Sequence, residues 1–107
     1  MKVINLTPHD VDICDEQGNI IRTYRASGFK ARVSNRSEIV DYIDDVPIKA
    51  NRSKITFGLP APMEGVLYIV SNTTLENNKD RKDIIAPVDK VYKNGAIVGC
   101  MSFMSNR

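Results

Sequence analysis

The chain has one histidine, His9, and only two cysteines, Cys14 and Cys100, in 107 residues. That scarcity excludes most metal and nucleophile chemistry. There is no CxxC, no Cys/His cluster, no HExxH and no nucleophile elbow, so no zinc site, cofactor or catalytic triad is expected. The cysteines lie far apart inside apolar runs. They read as buried free thiols of a reducing compartment, the alternative being a disulfide between neighbouring strands. No stretch approaches the ~18 apolar residues of a membrane span, and Met1-Lys2-Val3-Ile4-Asn5 does not open a signal peptide. The expected location is cytoplasmic.

Charge of one sign is also missing. Fifteen basic residues against thirteen acidic ones leave a formal charge of +2. The cations are interleaved with acids, as in Lys79-Asp80-Arg81-Lys82-Asp83, which argues against a long nucleic-acid partner. A local anion site stays open.

What is present is one domain, residues 1–107, with 42% hydrophobic residues. A chain of this size hides a little under ~70% of its unfolded surface, which leaves room for a homo-oligomer. Lys2 to Leu6 reads as a strand stopped by Thr7-Pro8, because proline lacks a ladder N–H. Asp10 to Cys14 alternates with period two, Asp15 to Asn19 turns, and Ile20 to Tyr24 returns, which predicts a hairpin. Lys30 to Val33 is a short strand. Ser37 to Ile43 fits a helical turn or a strand, and strand is favoured. Pro47 limits Val46 to Lys49 to an edge, and Lys54 to Phe57 is the next strand.

Gly58-Leu59-Pro60-Ala61-Pro62 is a rigid loop. Val66 to Val70, the most apolar run, is the expected central strand. Thr74 to Arg81 carries the one short helix, with N-caps available in Ser71 to Thr74, and Asp83-Ile84-Ile85-Ala86-Pro87 ends it. Val88 to Lys93 and Ala96 to Phe103 flank Asn94-Gly95, the preferred pair for a type I′ turn. The tail from Met104 to Arg107 is expected to fray. The fold class is mainly β (α+β): a small curled antiparallel sheet or barrel with one short helix.

The densest polar chemistry is Asn5-Leu6-Thr7-Pro8-His9. Thr7 and His9 either meet a ligand, with His9 able to carry a proton near neutrality, or satisfy the backbone of a turn. Arg32, between Ala31 and Val33, points to solvent or to an anion, for which its forked guanidinium is suited. Arg81 has the same two options, since Arg81 and Asp83 can pair with each other, or with Arg32, as structural clips. Ser27-Gly28 and Ser71-Asn72 follow strands and offer N–H groups and hydroxyls of the kind that cradle phosphate.

Val3-Ile4-Asn5-Leu6-Thr7-Pro8-His9-Asp10-Val11 resembles a family of small proteins of bacteriophages, prophages and actinobacteria that open on an Asn-Leu-Thr-Pro-His signature. The likeness continues in order through Ser27-Gly28, Ala31-Arg32-Val33, Gly58-Leu59-Pro60, Tyr68-Ile69-Val70-Ser71, Arg81-Lys82-Asp83-Ile84 with Pro87, and Gly95 to Cys100. Family members often carry proline where Ala26 stands. The resemblance implies a phage-encoded accessory protein working in the host bacterial cytoplasm. By analogy of size, source and class, with no shared motif, it is similar to the anti-defence sponges that sequester cyclic ADP-ribose-like or cyclic-oligonucleotide immune signals.

A sponge needs arginines for pyrophosphate, hydroxyls and amides for ribose, and an apolar wall for adenine. Thr7, His9, Arg32, Ser71, Asn72 and Arg81 are the expected ligand-binding residues of such a non-catalytic protein, with Tyr24, Tyr68 or Phe57 as the wall. The alternatives are a protein-binding inhibitor or virion accessory protein, and a small hydrolase or lyase using His9.

Overall fold

The computed structural model describes residues 1–107. Eight strands and one helix follow in the order β1 (Lys2–Asn5), β2 (Val11–Cys14), β3 (Ile20–Tyr24), β4 (Arg32–Ile43), β5 (Val46–Phe57), β6 (Val66–Ile69), α1 (Asn72–Glu76), β7 (Ile84–Lys93) and β8 (Ala96–Ser105). Six strands form one sheet, ordered β1-β6-β7-β8-β2-β3, while β4 and β5 pair only with each other.

The six-stranded sheet is curled, as expected, and it is mixed. β1 and β6, β6 and β7, and β2 and β8 run parallel. The β6–α1–β7 segment supplies the crossover that a parallel pair needs. The curl brings the two edges together. Asn5 of β1 bridges Ala26, just beyond β3, and the Ser27 N–H donates to the Asn5 carbonyl at 3.0 Å.

Strand alternation divides the core between the two faces of this sheet. Val66, Tyr68 and Val70 join Leu6, Ala31, Leu75, Ile84 and Ala86 on one face, beneath α1 and the flanking loops. Val11, Ile69, Ile85 and Cys100 fill the other, with Val3, Leu67, Tyr24 and Phe103 around them. Tyr68 is thus a core residue and gives no wall to a ligand. Tyr24 packs edge-on to Phe103, with ring centroids 5.9 Å apart. Both cysteines are buried free thiols, and burial pushes the Cys100 thiol up.

The helix is shorter than predicted, Asn72–Glu76 against Thr74 to Arg81. Ser71 caps it, its Oγ accepting from the Thr74 N–H at 3.2 Å. Asn77 and Asn78 end it, and both donate their amides to Thr56 Oγ1, at 2.9 and 2.8 Å. The strand after it begins at Ile84 and passes through Pro87. β6 has already stopped at Ile69, so the N–H that Pro87 lacks has no ladder partner to lose, and the Pro87 carbonyl accepts from Asn72 instead. The tail does not fray: Asn106 Nδ2 donates to the carbonyls of Leu75, Asn78 and Arg81 at the helix's open end.

The larger departure is the β4–β5 ribbon. Ser37 to Ile43 is strand, but it belongs to one twelve-residue strand, and the two segments around Ala50 join into another. They turn through Asp44-Asp45, both at positive φ (48° and 64°), the same backbone geometry that Asn94-Gly95 adopts between β7 and β8. The ribbon stands away from the body. The radius of gyration is 17.0 Å, against ~13 Å for a compact chain of this length.

Candidate functional site

Asn5 organises the turn that the sequence singles out. It is buried, and its Nδ2 donates to the carbonyls of His9 (2.8 Å) and Tyr24 (2.9 Å). Its Oδ1 accepts from both the backbone N–H (2.9 Å) and the hydroxyl (2.7 Å) of Thr7. The Thr7 hydroxyl also lies 2.9 Å from the His9 carbonyl. Thr7 is therefore engaged in the turn. His9 contributes its carbonyl, and its side chain is exposed.

The topology gathers five of the six expected residues at one end of the sheet. β1 and β6 are parallel with Asn5 opposite Ile69, so Thr7 and His9 leave β1 where Ser71 and Asn72 leave β6. The Ala31 N–H donates to the Leu6 carbonyl at 2.9 Å, which brings Arg32 to the same rim. Carboxyl ends of parallel strands are a common ligand position. Ser71 and Asn72 are nonetheless partly occupied, one as the helix cap and the other on Pro87. Arg32 lies over the ribbon base in a concavity with Val33, Ser34 and Phe57.

Arg81 is at the opposite end, just before β7. Its Nε and Nη2 donate to the two Asp83 carboxylate oxygens, both at 2.8 Å, and Nη2 also reaches the Pro60 carbonyl at 2.8 Å. The two side chains are only 17% and 18% exposed. A bidentate, charge-assisted pair of this kind is strong and directional. The Arg81 hydrogen bonds hold the Asp83 carboxyl below the usual carboxylate range against the opposing effect of burial. Arg81 ties the Pro60 loop to the start of β7.

A second concavity, outside the expected set apart from the Ser27-Gly28 loop, runs along the seam where the sheet edges meet. Lys2, Val3, Ile4, Asn5, Arg25, Ser27 and Phe29 line a groove of about 360 Å³. Neither Lys2 nor Arg25 is in an ion pair within the chain, and Phe29 is 76% exposed. Ser27 shapes the loop, its hydroxyl bonding the Phe29 N–H and carbonyl at 3.2 Å. The signal missed in the sequence was the juxtaposition of Lys2 and Arg25. They lie 23 positions apart and meet only because the sheet closes on itself.

No helix is long and apolar enough to cross a membrane. Comparison with protein-family models, with curated proteins and with solved structures returned no match.

Proposed function

We propose that this chain is a non-catalytic binding protein that takes a small nucleotide-like anion into the seam groove. The observation that carries this reading is the pairing of two cations without acidic partners, Lys2 and Arg25, with the exposed Phe29 ring around one groove. Cations match a phosphate or pyrophosphate, an aromatic face matches a nucleobase, and the volume falls in the ~300–1,000 Å³ range of small-molecule sites. The Thr7–His9 turn adjoins this groove only through Asn5, whose amide holds the His9 carbonyl. The resemblance to phage proteins supplies the setting: sequestration of a cyclic ADP-ribose-like or cyclic-oligonucleotide immune signal in the infected cell's cytoplasm. Sequestration asks for affinity and no proton transfer.

The test is mass spectrometry of material released by heating protein incubated with extracts of cells whose defence is triggered. An intact nucleotide in the released fraction supports the reading. Recovery of none, or of a cleaved product, overturns it.

A protein-binding inhibitor or virion accessory protein is the second reading, favoured by the separation of Arg81 from Thr7, His9 and Arg32. It expects a stable complex with a host protein that added nucleotide does not disturb.

A further inference from the structure

We propose that the β4–β5 ribbon is a dimerisation arm that packs face to face, antiparallel, on the same ribbon of a second copy. An isolated two-stranded ribbon is marginal in water without a packed face, yet this one is twelve residues long on each side and exposed almost throughout. Cross-strand partners share a face, and the bulges at Arg36/Ser37 and Ile39/Asp41 absorb one extra residue each. Thr56 and its partner Val33 look toward α1, where Thr56 meets Asn77 and Asn78. The opposite face carries Phe57, Ile55, Ile48, Val46 and Ile43 as an exposed apolar spine.

The charges on this face are ordered along it. Arg32, Arg36 and Arg52 sit toward the base, Glu38 and Asp41 toward the tip, and Asp44 and Asp45 form the turn; at mid-ribbon Glu38 already accepts from its own chain's Arg52 Nε at 3.2 Å and lies 3.8 Å from Arg36 Nη2. A face that is basic at one end and acidic at the other is complementary to itself under a two-fold rotation, the commonest symmetry of small oligomers. In full overlap, Phe57 meets the partner's Ile43 and the partner's Val46, and Ile55 meets the partner's Ile48. Arg36 lies beside the partner's Glu38, and the concavity at Arg32 receives the partner's acidic turn. A ribbon of twelve residues is ~40 Å long and, at two strands, ~10 Å wide, a footprint of about 400 Å² per subunit that puts the contact at the small end of specific interfaces.

Edge-to-edge pairing is disfavoured by the ribbon's own chemistry. Pro47 has no N–H to offer on the outer edge of β5. On β4, the Tyr42 N–H opposite it is taken by the Asp41 carboxylate at 2.7 Å. Both edges near the tip are blunted, which leaves the faces; the one toward α1 exposes Ile39 and Tyr42 among Asn35, Ser37, Lys49 and Lys54, and the longer apolar spine is on the other.

The test is sedimentation equilibrium of the full chain, which is expected to run at twice its 12.0 kDa mass at micromolar concentration. R36E alone and E38R alone each place like charges across the two-fold, twice per dimer, and should weaken association on the order of tenfold or more. Both side chains are more than half exposed, and circular dichroism of each variant checks that the fold is kept. An equimolar mixture of the two variants pairs opposite charges at both contacts and should restore a dimer that neither forms alone. A wild-type monomer at all concentrations overturns the proposal. So does a dimer indifferent to both reversals, or an arm protected from amide exchange only by a different protein.

Discussion

The Nδ2 of Asn5 donates to the Tyr24 carbonyl at 2.9 Å, across the seam where the last strand of the sheet returns to the first. The same amide group holds the His9 carbonyl. One buried side chain thus fixes both the closure of the sheet and the shape of the Thr7-Pro8-His9 turn. Asparagine suits the position because it offers donors and an acceptor together.

Asn5→Ala should cost about 2–4 kcal/mol, since it strands two carbonyls and the Thr7 N–H. Asn5→Asp should be no better, because its carboxylate would face two carbonyls. Thermal denaturation followed by circular dichroism checks both. His9→Ala should stay within about 0.5 kcal/mol of the parent, because its ring is exposed and the turn uses only its carbonyl. A large loss on His9→Ala would mean that its ring carries structure.

Removing Arg81 should expose the Asp83 pair as a fastening. Arg81→Ala leaves a half-buried carboxylate unpaired and frees the Pro60 loop, for an expected loss of about 2–3 kcal/mol. Arg81→Lys should recover only part of it, since an ammonium cannot make the two-pronged contact. Chemical denaturation of the three proteins at neutral pH decides.

The same pair sets a pH dependence. Asp83 titrates below its ordinary value in the folded chain. Its contribution is therefore complete above the unfolded carboxylate value of ~3.9 and is lost as pH falls through the folded value. Asp83→Asn should be less stable than the parent at neutral pH, and the gap should narrow on acidification below about pH 4. Asp15, also held low by hydrogen bonds from its turn, titrates in both proteins and cancels in the difference. A gap constant with pH would remove Asp83 as its source.

Gly58 joins the ribbon to its loop at φ +78°, and a Cβ there would run into the Lys30 carbonyl. Gly58→Ala should cost about 2 kcal/mol or more from backbone strain and that collision. A shift of the melting temperature by less than a degree would show that the ribbon base relaxes freely.

If the seam groove holds a nucleotide, Lys2→Ala and Arg25→Ala should each weaken binding about tenfold, or ~1.4 kcal/mol. Phe29→Ala should act similarly for ligands that carry a base and little for inorganic phosphate. Titration calorimetry with cyclic ADP-ribose and with phosphate separates the two contributions. Unchanged affinity in all three variants would move the site elsewhere.

Local chemistry was enough to mark several elements. Val66 to Val70 is apolar on both sides because the strand is covered on both faces, and its sequence says so. Asn94-Gly95 specifies its turn because both residues tolerate positive φ. The Asp44-Asp45 turn was hidden, because aspartate adopts that conformation less readily and its flanks read as fragments divided by Pro47. Pro47 marked an edge correctly and concealed only the strand's length, whereas Pro87 concealed the start of β7. Proline is tolerated in β5 because that strand has a free edge, and in β7 because the neighbour stops before it.

The polar N-terminal patch was legible as residues but not as a role. Asn5 fixes Thr7 and the His9 carbonyl only once Tyr24 has been brought alongside. Lys2 and Arg25 become one groove only when the sheet closes. Arg81 and Asp83, two positions apart, could be paired on paper, yet their burial against Pro60 depends on the loop that returns from the ribbon. Sequence alone determined the strand-forming alternation, the sharp turns and the mainly β class, because those follow from short-range sterics and the period of side-chain burial. Tertiary structure decided the mixed sheet, the closed seam and the projecting arm, because each depends on which distant backbone groups find one another.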